Sequence, residues 1–305
     1  MEDSVAFIGL GAMGSCMAGN IRRKIQASAT LYIFDIDSAA CEGFVSKFEQ
    51  FGPIEIANSV EEAARNTKVL VSSLPNAQAV RKAYLGDLDG CILTTPNSER
   101  LLLDTSTIES SLAREIAVKL SEMGVGCYVD TPVSGGPPAA ASGKLSFMIG
   151  QTKPRDSNSM GGRIQHILEM MGEPQKLFWC GGIGDGLTAK LSNNYIACSV
   201  LLVVAEAMEI GVRGGLDPEL LYEVIHNSSG QTFMGDILHA AQKAYRQARN
   251  VFPIDLMIKD LALIVVAGKE NKVNPRMAQM ALNIWHEAAE NPDVLYLDLL
   301  KGSKP

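Results

Sequence analysis

The stretch Val5-Ala6-Phe7-Ile8-Gly9-Leu10-Gly11-Ala12-Met13-Gly14 decides the fold. Its first four residues are an unbroken apolar run that reads as a strand. Met13 to Ile25 then repeats apolar side chains at three and four, which is helical spacing. Gly9, Gly11 and Gly14 fall between the two as G-x-G-x-x-G, with Leu10, Ala12 and Met13 at the variable positions. In that context the glycines permit a tight turn and close approach of backbone to a pyrophosphate resting on the positive helix end. A second apolar strand, Leu31 to Phe34, ends at Asp35, about 20 residues past the last glycine, where a carboxylate can accept from a ribose 2′-hydroxyl. The same carboxylate would repel a 2′-phosphate, and Ile36-Asp37-Ser38 offers no arginine to offset it, so NAD is expected over NADP. Asp37 reads as a helix N-cap.

Outward from this point the first half alternates short β-rich runs with helical patterns. Val69–Leu74, Leu101–Leu103, Val125–Val129 and Leu145–Ile149 are further strand candidates; Ala39–Phe48 and Leu112–Met123 are helix candidates. The alternation implies βαβ units, a mainly parallel sheet and an α/β fold with an N-terminal Rossmann-type doubly wound sheet. After about Gly184 the texture becomes wholly helical, which divides the chain into a nucleotide-binding domain, 1–184, and an all-α C-terminal domain, 185–305. Asp185 to Val212 reads as one helix of about 28 residues, roughly 42 Å long, closed by Gly214-Gly215. Asp217-Pro218, Gly230, Pro253 and Pro275 mark starts or breaks of the helices that follow.

A chain of 305 residues with 47% apolar and 20% charged residues has the material for two packed cores, so a folded enzyme or binding protein is expected. The net charge of -7, without a Lys/Arg cluster, argues against nucleic acid and anionic membranes as partners. Six cysteines without a C-x-x-C pair indicate neither a disulfide framework nor a thiolate zinc site, and the four histidines lack ligand spacing, so no metal is expected. Cys16 and Cys180 read as packing residues. Tyr195 to Ala205, the longest near-apolar run, is too short for a bilayer and reads as a buried helix. The first apolar run starts directly after Met1-Glu2-Asp3-Ser4, without a signal-peptide core or arginine-rich presequence. An intracellular, cytoplasmic location is therefore expected for the chain as given, or the mitochondrial matrix if a presequence has been removed.

Beyond the fingerprint, four further segments fall in the order and spacing of the β-hydroxyacid dehydrogenase family, most closely of its 3-hydroxyisobutyrate dehydrogenases. The opening Phe7 to Gly14, with Met17-Ala18 and Asn20, resembles that family's nucleotide loop. Asp104-Thr105-Ser106-Thr107-Ile108 resembles the segment whose last threonine approaches the nicotinamide, and Leu74-Pro75 its other cofactor-side turn. Asp130-Thr131-Pro132-Val133-Ser134-Gly135-Gly136, continuing to Ala139, Gly143 and Leu145, is similar to the substrate-binding signature. A hydroxyl followed by two glycines can present backbone N–H groups to a carboxylate, although a plain tight turn has the same composition. Gly182 to Gly186 followed by Lys190-Leu191-Ser192-Asn193-Asn194 resembles the catalytic segment, which implies Lys190 as acid/base and Asn194 as a substrate contact. Read from residues alone, a lysine near a helix start is ordinarily solvated; burial and the positive helix end would disfavour its ammonium form. Phe252 and Leu256 to Leu263 resemble the helix whose lysine, here Lys259, reaches the nicotinamide region. The sequence departs from the family at Gln151 to Gly162, which is longer and more polar than the usual connection.

The resemblance implies NAD-dependent oxidation of a small carboxylate-bearing 3-hydroxyacid by a homodimer or homotetramer. Lys190 would take the hydroxyl proton, with Ser134, Gly135, Gly136 and Asn194 fixing the substrate. The alternatives are a semialdehyde or glyoxylate reductase of the same family and a non-catalytic nucleotide-binding module. A 6-phosphogluconate-type decarboxylase shares the architecture, but its larger C-terminal domain and phosphate-binding basic residues are missing.

Overall fold

The computed structural model describes residues 4–86, 91–92, 96–156, 159–245 and 254–290. The chain divides into two compact units, Met1–Lys190 and Leu191–Pro305.

In the first unit, β1 (Val5–Ile8), β2 (Leu31–Phe34), β3 (Ile54–Ile56), β4 (Val69–Ser72), β5 (Leu101–Asp104) and β6 (Cys127–Asp130) form one all-parallel sheet ordered β3-β2-β1-β4-β5-β6. The connecting helices are α1 (Gly14–Lys24), α2 (Ser38–Phe48), α3 (Val60–Arg65), α4 (Ala77–Leu85) and α5 (Ser110–Glu122). Helices on both faces explain why the central strands are continuously apolar rather than alternating. Val5 and Phe7 pack with Met17 and Ile21 of α1 and Phe44 and Phe48 of α2, while Ala6 and Ile8 pack with Val80 of α4 and Leu112 and Ile116 of α5. This is the doubly wound Rossmann-type sheet that the fingerprint implies. Strand order reverses at β1/β4, where such sheets open a crevice at their carboxyl ends.

Strand bounds differ from the sequence expectation for identifiable reasons. β6 starts at Cys127 rather than Val125, because the Val125 amide donates back to the Leu120 carbonyl at 2.9 Å and Gly124 (φ 63°) is left-handed, a closure of α5 that uses Val125. β4 ends at Ser72 rather than Leu74, whose amide donates instead to Ser106 Oγ at 2.9 Å. Leu145–Ile149, expected alongside the parallel strands, is β8 of a second sheet ordered β7-β8-β9, with β7 Val133–Ser134 antiparallel to it and β9 Gly172–Trp179 parallel. Leu145, Phe147 and Ile149 are fully buried in the core on one face of the main sheet. The unit also contains α6 (Gly136–Ser142) and α7 (Met160–Leu168). The polar segment beginning at Gln151 runs into α7, whose N-cap Ser159 accepts from the Gly162 amide at 3.2 Å.

α8 (Asp185–Arg213) is one continuous helix, and Gly215 (φ 95°) follows its end. The second unit contains the rest of α8, α9 (Pro218–His226), α10 (Phe233–Tyr245), α11 (Ile254–Glu270) and α12 (Arg276–Glu290). Its core joins Leu191, Leu201, Leu202 and Met208 of α8 to Leu238, Leu261, Ile264 and Trp285. Among the described residues α8 is the one helix long and apolar enough to cross a membrane by length and composition alone. The expectation of a buried helix holds for one face only, because the core covers that face and leaves Ile196, Val203 and Ile210 at 66%, 54% and 74% exposed. Pro253, expected to mark a helix start or break, and Phe252 lie outside the described residues.

Candidate active site

The strand register places the carboxyl ends of β2, β1, β4, β5 and β6 in one row, through Phe34↔Ile8, Ile8↔Ser72, Ser72↔Asp104 and Asp104↔Asp130. The glycine loop, Asp35, Leu74-Pro75, Thr107 and the Asp130–Gly136 segment therefore all leave the sheet from one edge. At Gly9 φ is 91° and a Cβ would fall 2.2 Å from the Ser73 carbonyl oxygen; at Gly14 it would fall 2.0 Å from that of Gly9. These two glycines are dictated by the turn itself. Gly11 is different, since a Cβ there meets nothing within 4 Å, which leaves an open cradle at the start of α1 where a phosphate group fits. α1 has no acidic residue in its first turn to compete for an anion.

Asp35 is tied to the loop it serves. Its Oδ2 accepts from the Leu10 amide at 2.5 Å and its Oδ1 from the Asp37 amide at 2.9 Å. The carboxylate is acceptor-only with lone pairs to spare, as recognition of a ribose diol requires. Asp37 caps α2 by accepting from Ala39 at 3.0 Å, as its place in the sequence suggests. Ile36 is 93% exposed, and nothing cationic stands at that position.

The turns after β4 and β5 are joined by a buried polar network. Asp104, 1% exposed, accepts from Ser72 Oγ at 2.8 Å, Tyr128 OH at 2.9 Å and the Ser106 amide at 3.1 Å. Ser72 Oγ also meets Tyr84 OH at 2.8 Å. Ser106 Oγ in turn accepts from the Leu74 amide, so one carboxylate organises both turns that carry Leu74, Pro75 and Thr107. Burial raises the Asp104 carboxyl above the ordinary aspartate range, opposed by its hydrogen bonds. Burial beside that carboxylate holds the Tyr84 and Tyr128 phenols well above theirs.

Ser134 ends β7; Gly135 (φ 136°) and Gly136 (φ 67°) follow at the start of α6, a left-handed pair that side chains would strain. Lys190 lies in the second turn of α8 and is only 8% exposed. The helix start is held by Asp130, whose Oδ1 accepts from the Gly184 amide at 2.7 Å and Oδ2 from the Leu187 amide at 2.9 Å. In the second unit, Asn194 donates through Nδ2 to Asp260 Oδ2 at 2.6 Å, and Lys259 Nζ stands 3.3 Å from Asp260 Oδ1. Lys259-Asp260 is thus no exposed charged pair: Asp260 is 9% exposed and orients Asn194.

Sequence reasoning did not single out Asp104, Asp130 or Asp260 for these tasks. Each stands inside a motif that was quoted, but its partners come from distant segments, so only the folded contacts identify it. Among the described residues no group of three or more His, Cys, Asp or Glu is arranged to hold a metal ion.

Residues 4–182 match the family model described as the NAD binding domain of 6-phosphogluconate dehydrogenase. Residues 184–293 match that described as NAD-binding of NADP-dependent 3-hydroxyisobutyrate dehydrogenase. The mitochondrial 3-hydroxyisobutyrate dehydrogenase of Mus musculus is 32% identical over 288 residues, 92% of this chain and 80% of that protein. The NAD-dependent L-serine dehydrogenase of Pseudomonas aeruginosa is 33% identical over 287 residues, 92% of this chain and 90% of that protein. Among solved structures, the Mycobacterium tuberculosis 3-hydroxyisobutyrate dehydrogenase with L-serine aligns at a TM-score of 0.81 and 27% identity, over 97% of this chain and 99% of that one.

Proposed function

We infer the reaction from one premise: this chain belongs to the 3-hydroxyisobutyrate dehydrogenase family. It is an NAD-dependent hydroxyacid dehydrogenase. The substrate we propose is a small 3-hydroxyacid, with 3-hydroxyisobutyrate, oxidised to methylmalonate semialdehyde, as first candidate. The observation that carries the assignment of the chemistry is Lys190, 8% exposed in a residue type that is rarely buried, on the Gly182 to Asn194 segment that resembles the family's catalytic one.

When bound, NAD supplies the hydride acceptor. Gly9, Leu10, Gly11, Ala12, Met13 and Gly14 would hold its pyrophosphate and Asp35 its ribose, with Leu74, Pro75, Thr107 and Lys259 assigned to the nicotinamide end. Lys190 takes the proton of the substrate hydroxyl as the carbinol carbon is oxidised, and returns it in the reverse direction. Ser134, the amides of Gly135 and Gly136, and Asn194 are assigned to the substrate carboxylate and its orientation. The functional division is placed at 184/185, and the working location inside the cell.

A second substrate, L-serine, has the same 3-hydroxyacid frame with an amino group, and one relative is a dehydrogenase for it. Absorbance at the NADH wavelength with 3-hydroxyisobutyrate, L-serine and lactate separates the readings. Turnover of either 3-hydroxyacid but not of lactate supports the assignment, the faster one naming the substrate. Preference for lactate, or no turnover of any with NAD still bound, overturns it.

A further inference from the structure

We propose that Asp130 is the positioning residue for Lys190: its carboxylate, rooted at the carboxyl end of β6, clamps the first turn of α8 and thereby fixes the lysine relative to the Ser134 segment. The inference rests on Lys190 being the proton acceptor.

The first amides of a helix lack intrahelical partners and are ordinarily satisfied by a side chain just before it. At α8 the local carboxylate, Asp185, turns back instead: its Oδ2 accepts from the Gly182 amide at 2.7 Å, ahead of the helix. Asp130 is different in origin. It comes from a strand end more than fifty residues earlier, is 1% exposed, and spends both oxygens at the start of α8, one on Gly184 just before the helix and one on Leu187 in its first turn. Two bonds to amides three residues apart fix the helix in position and in rotation about its axis. Lys190 follows Leu187 by three residues, one turn along the same helix.

The other side of Asp130 leads directly into the substrate segment. Its carbonyl accepts from the Gly150 amide at 2.8 Å, that of Pro132 accepts from the Met148 amide at 3.0 Å, and Val133 and Ser134 pair with β8. Asp130 is thus bonded to the end of β8, the strand that pairs with Ser134, and to the start of the helix that carries Lys190. The surroundings are cut to fit it. A Cβ at Gly150 would lie 1.9 Å from Asp130 Oδ1, and one at Gly186 would lie 2.9 Å from Oδ2 and 2.4 Å from the Met148 carbonyl oxygen. Two glycines, from different segments, leave room for this carboxylate, and the second leaves room for the Met148 carbonyl as well. That makes Gly186→Ala an independent way to disturb the clamp while the carboxylate is retained.

The test uses the full chain with Asp130→Asn, Gly186→Ala and, in parallel, Lys190→Ala. It measures kcat and KM for 3-hydroxyisobutyrate, NADH affinity by fluorescence, and hydrogen exchange of the Leu187 amide. Asp130→Asn and Gly186→Ala should both lower kcat by about 10²-fold, the effect of a small misplacement of a reacting group. NADH affinity should stay within about threefold, since the glycine loop is untouched, and the Leu187 amide should exchange faster. A kcat within twofold of the parent, accompanied only by a lower melting temperature, reduces Asp130 to a structural cap and overturns the proposal. NADH affinity falling in step with kcat assigns Asp130 to the cofactor half and also overturns it. If Lys190→Ala keeps its kcat, the reading of the lysine fails and the clamp with it. If Lys190→Ala loses kcat while the other two variants keep theirs, the clamp alone fails. Should Asp130→Asn not fold, Gly186→Ala decides by the same readings.

Discussion

Asp104 is a carboxylate without access to water whose hydrogen bonds come from neutral donors, Ser72, Ser106 and Tyr128. Such a group costs stability when ionised, because desolvation opposes charge more than neutral donors repay it. Its folded pKa is raised, so its contribution to stability is fully present below the ordinary value of 3.8 and is lost as pH rises through the higher folded value. Asp104→Asn removes that loss. The melting temperature of the variant minus that of the parent should therefore grow more positive as pH is raised upward from 3.8, and a difference that is flat or falls with pH refutes the sign. Asp35 supports a second prediction. With its carboxylate built into the loop at Leu10 and Ile36 beside it, kcat/KM should favour NAD over NADP by at least about tenfold, as expected from unfavourable charge against a 2′-phosphate. Equal use of the two cofactors ends that assignment. Lys190→Ala should lower kcat by about 10²–10⁴-fold with NAD affinity nearly unchanged. Retention of parental kcat would make Lys190 a bystander. Lys190 and Asn194 rested on the family resemblance, since a lysine near a helix start reads by itself as solvated; the glycines and Asp35 were legible because a loop and a strand end announce themselves locally. Asp130 and Asp260 were not, since their partners lie 54 and 66 residues away.

At the scale of elements, legibility followed burial. β1, β2, β4 and β5 lie inside the sheet with helices on both faces, and their unbroken apolar runs read directly as strands. β3 and β9 did not read so: Ile54-Glu55-Ile56 is three residues at an edge, and Gly172-Glu173-Pro174-Gln175-Lys176 puts polar residues and a proline on an edge strand of the second sheet. Edge strands carry such residues to discourage further pairing, which erases the periodicity a reader of sequence depends on. The contact between α1 and α2 makes a sharper point. Gly19 is buried in α1 where a Cβ would come within 2.4 Å of the Phe48 ring, so the two helices approach as closely as they do only because that side chain is missing. Gly19→Val should cost about 1–3 kcal/mol in urea denaturation, the usual range for overpacking, with the substrate segment unaffected. Unchanged stability would show that Phe48 swings away freely.

For the whole molecule, the uncovered face of α8 is the feature with most to say. Ile196, Val203 and Ile210 recur at sevenfold spacing and remain more than half exposed, a stripe of the kind that pairs helices. We expect a homodimer or homotetramer, so light scattering at micromolar concentration should return a multiple of the 32.7 kDa chain mass, and Ile196→Asp with Val203→Asp should shift it toward monomer. A parent protein that runs as a monomer ends the expectation. The sheet order has a consequence of another kind. β1 is synthesised before both of its neighbours, yet it is central, and its partner β4 begins only at Val69. At about 5–20 residues per second, Val5 to Ile8 wait several seconds for that neighbour to be made. The apolar segment that anchors the nucleotide loop therefore spends that interval with one of its two sheet edges uncovered, open to mispairing while the chain grows.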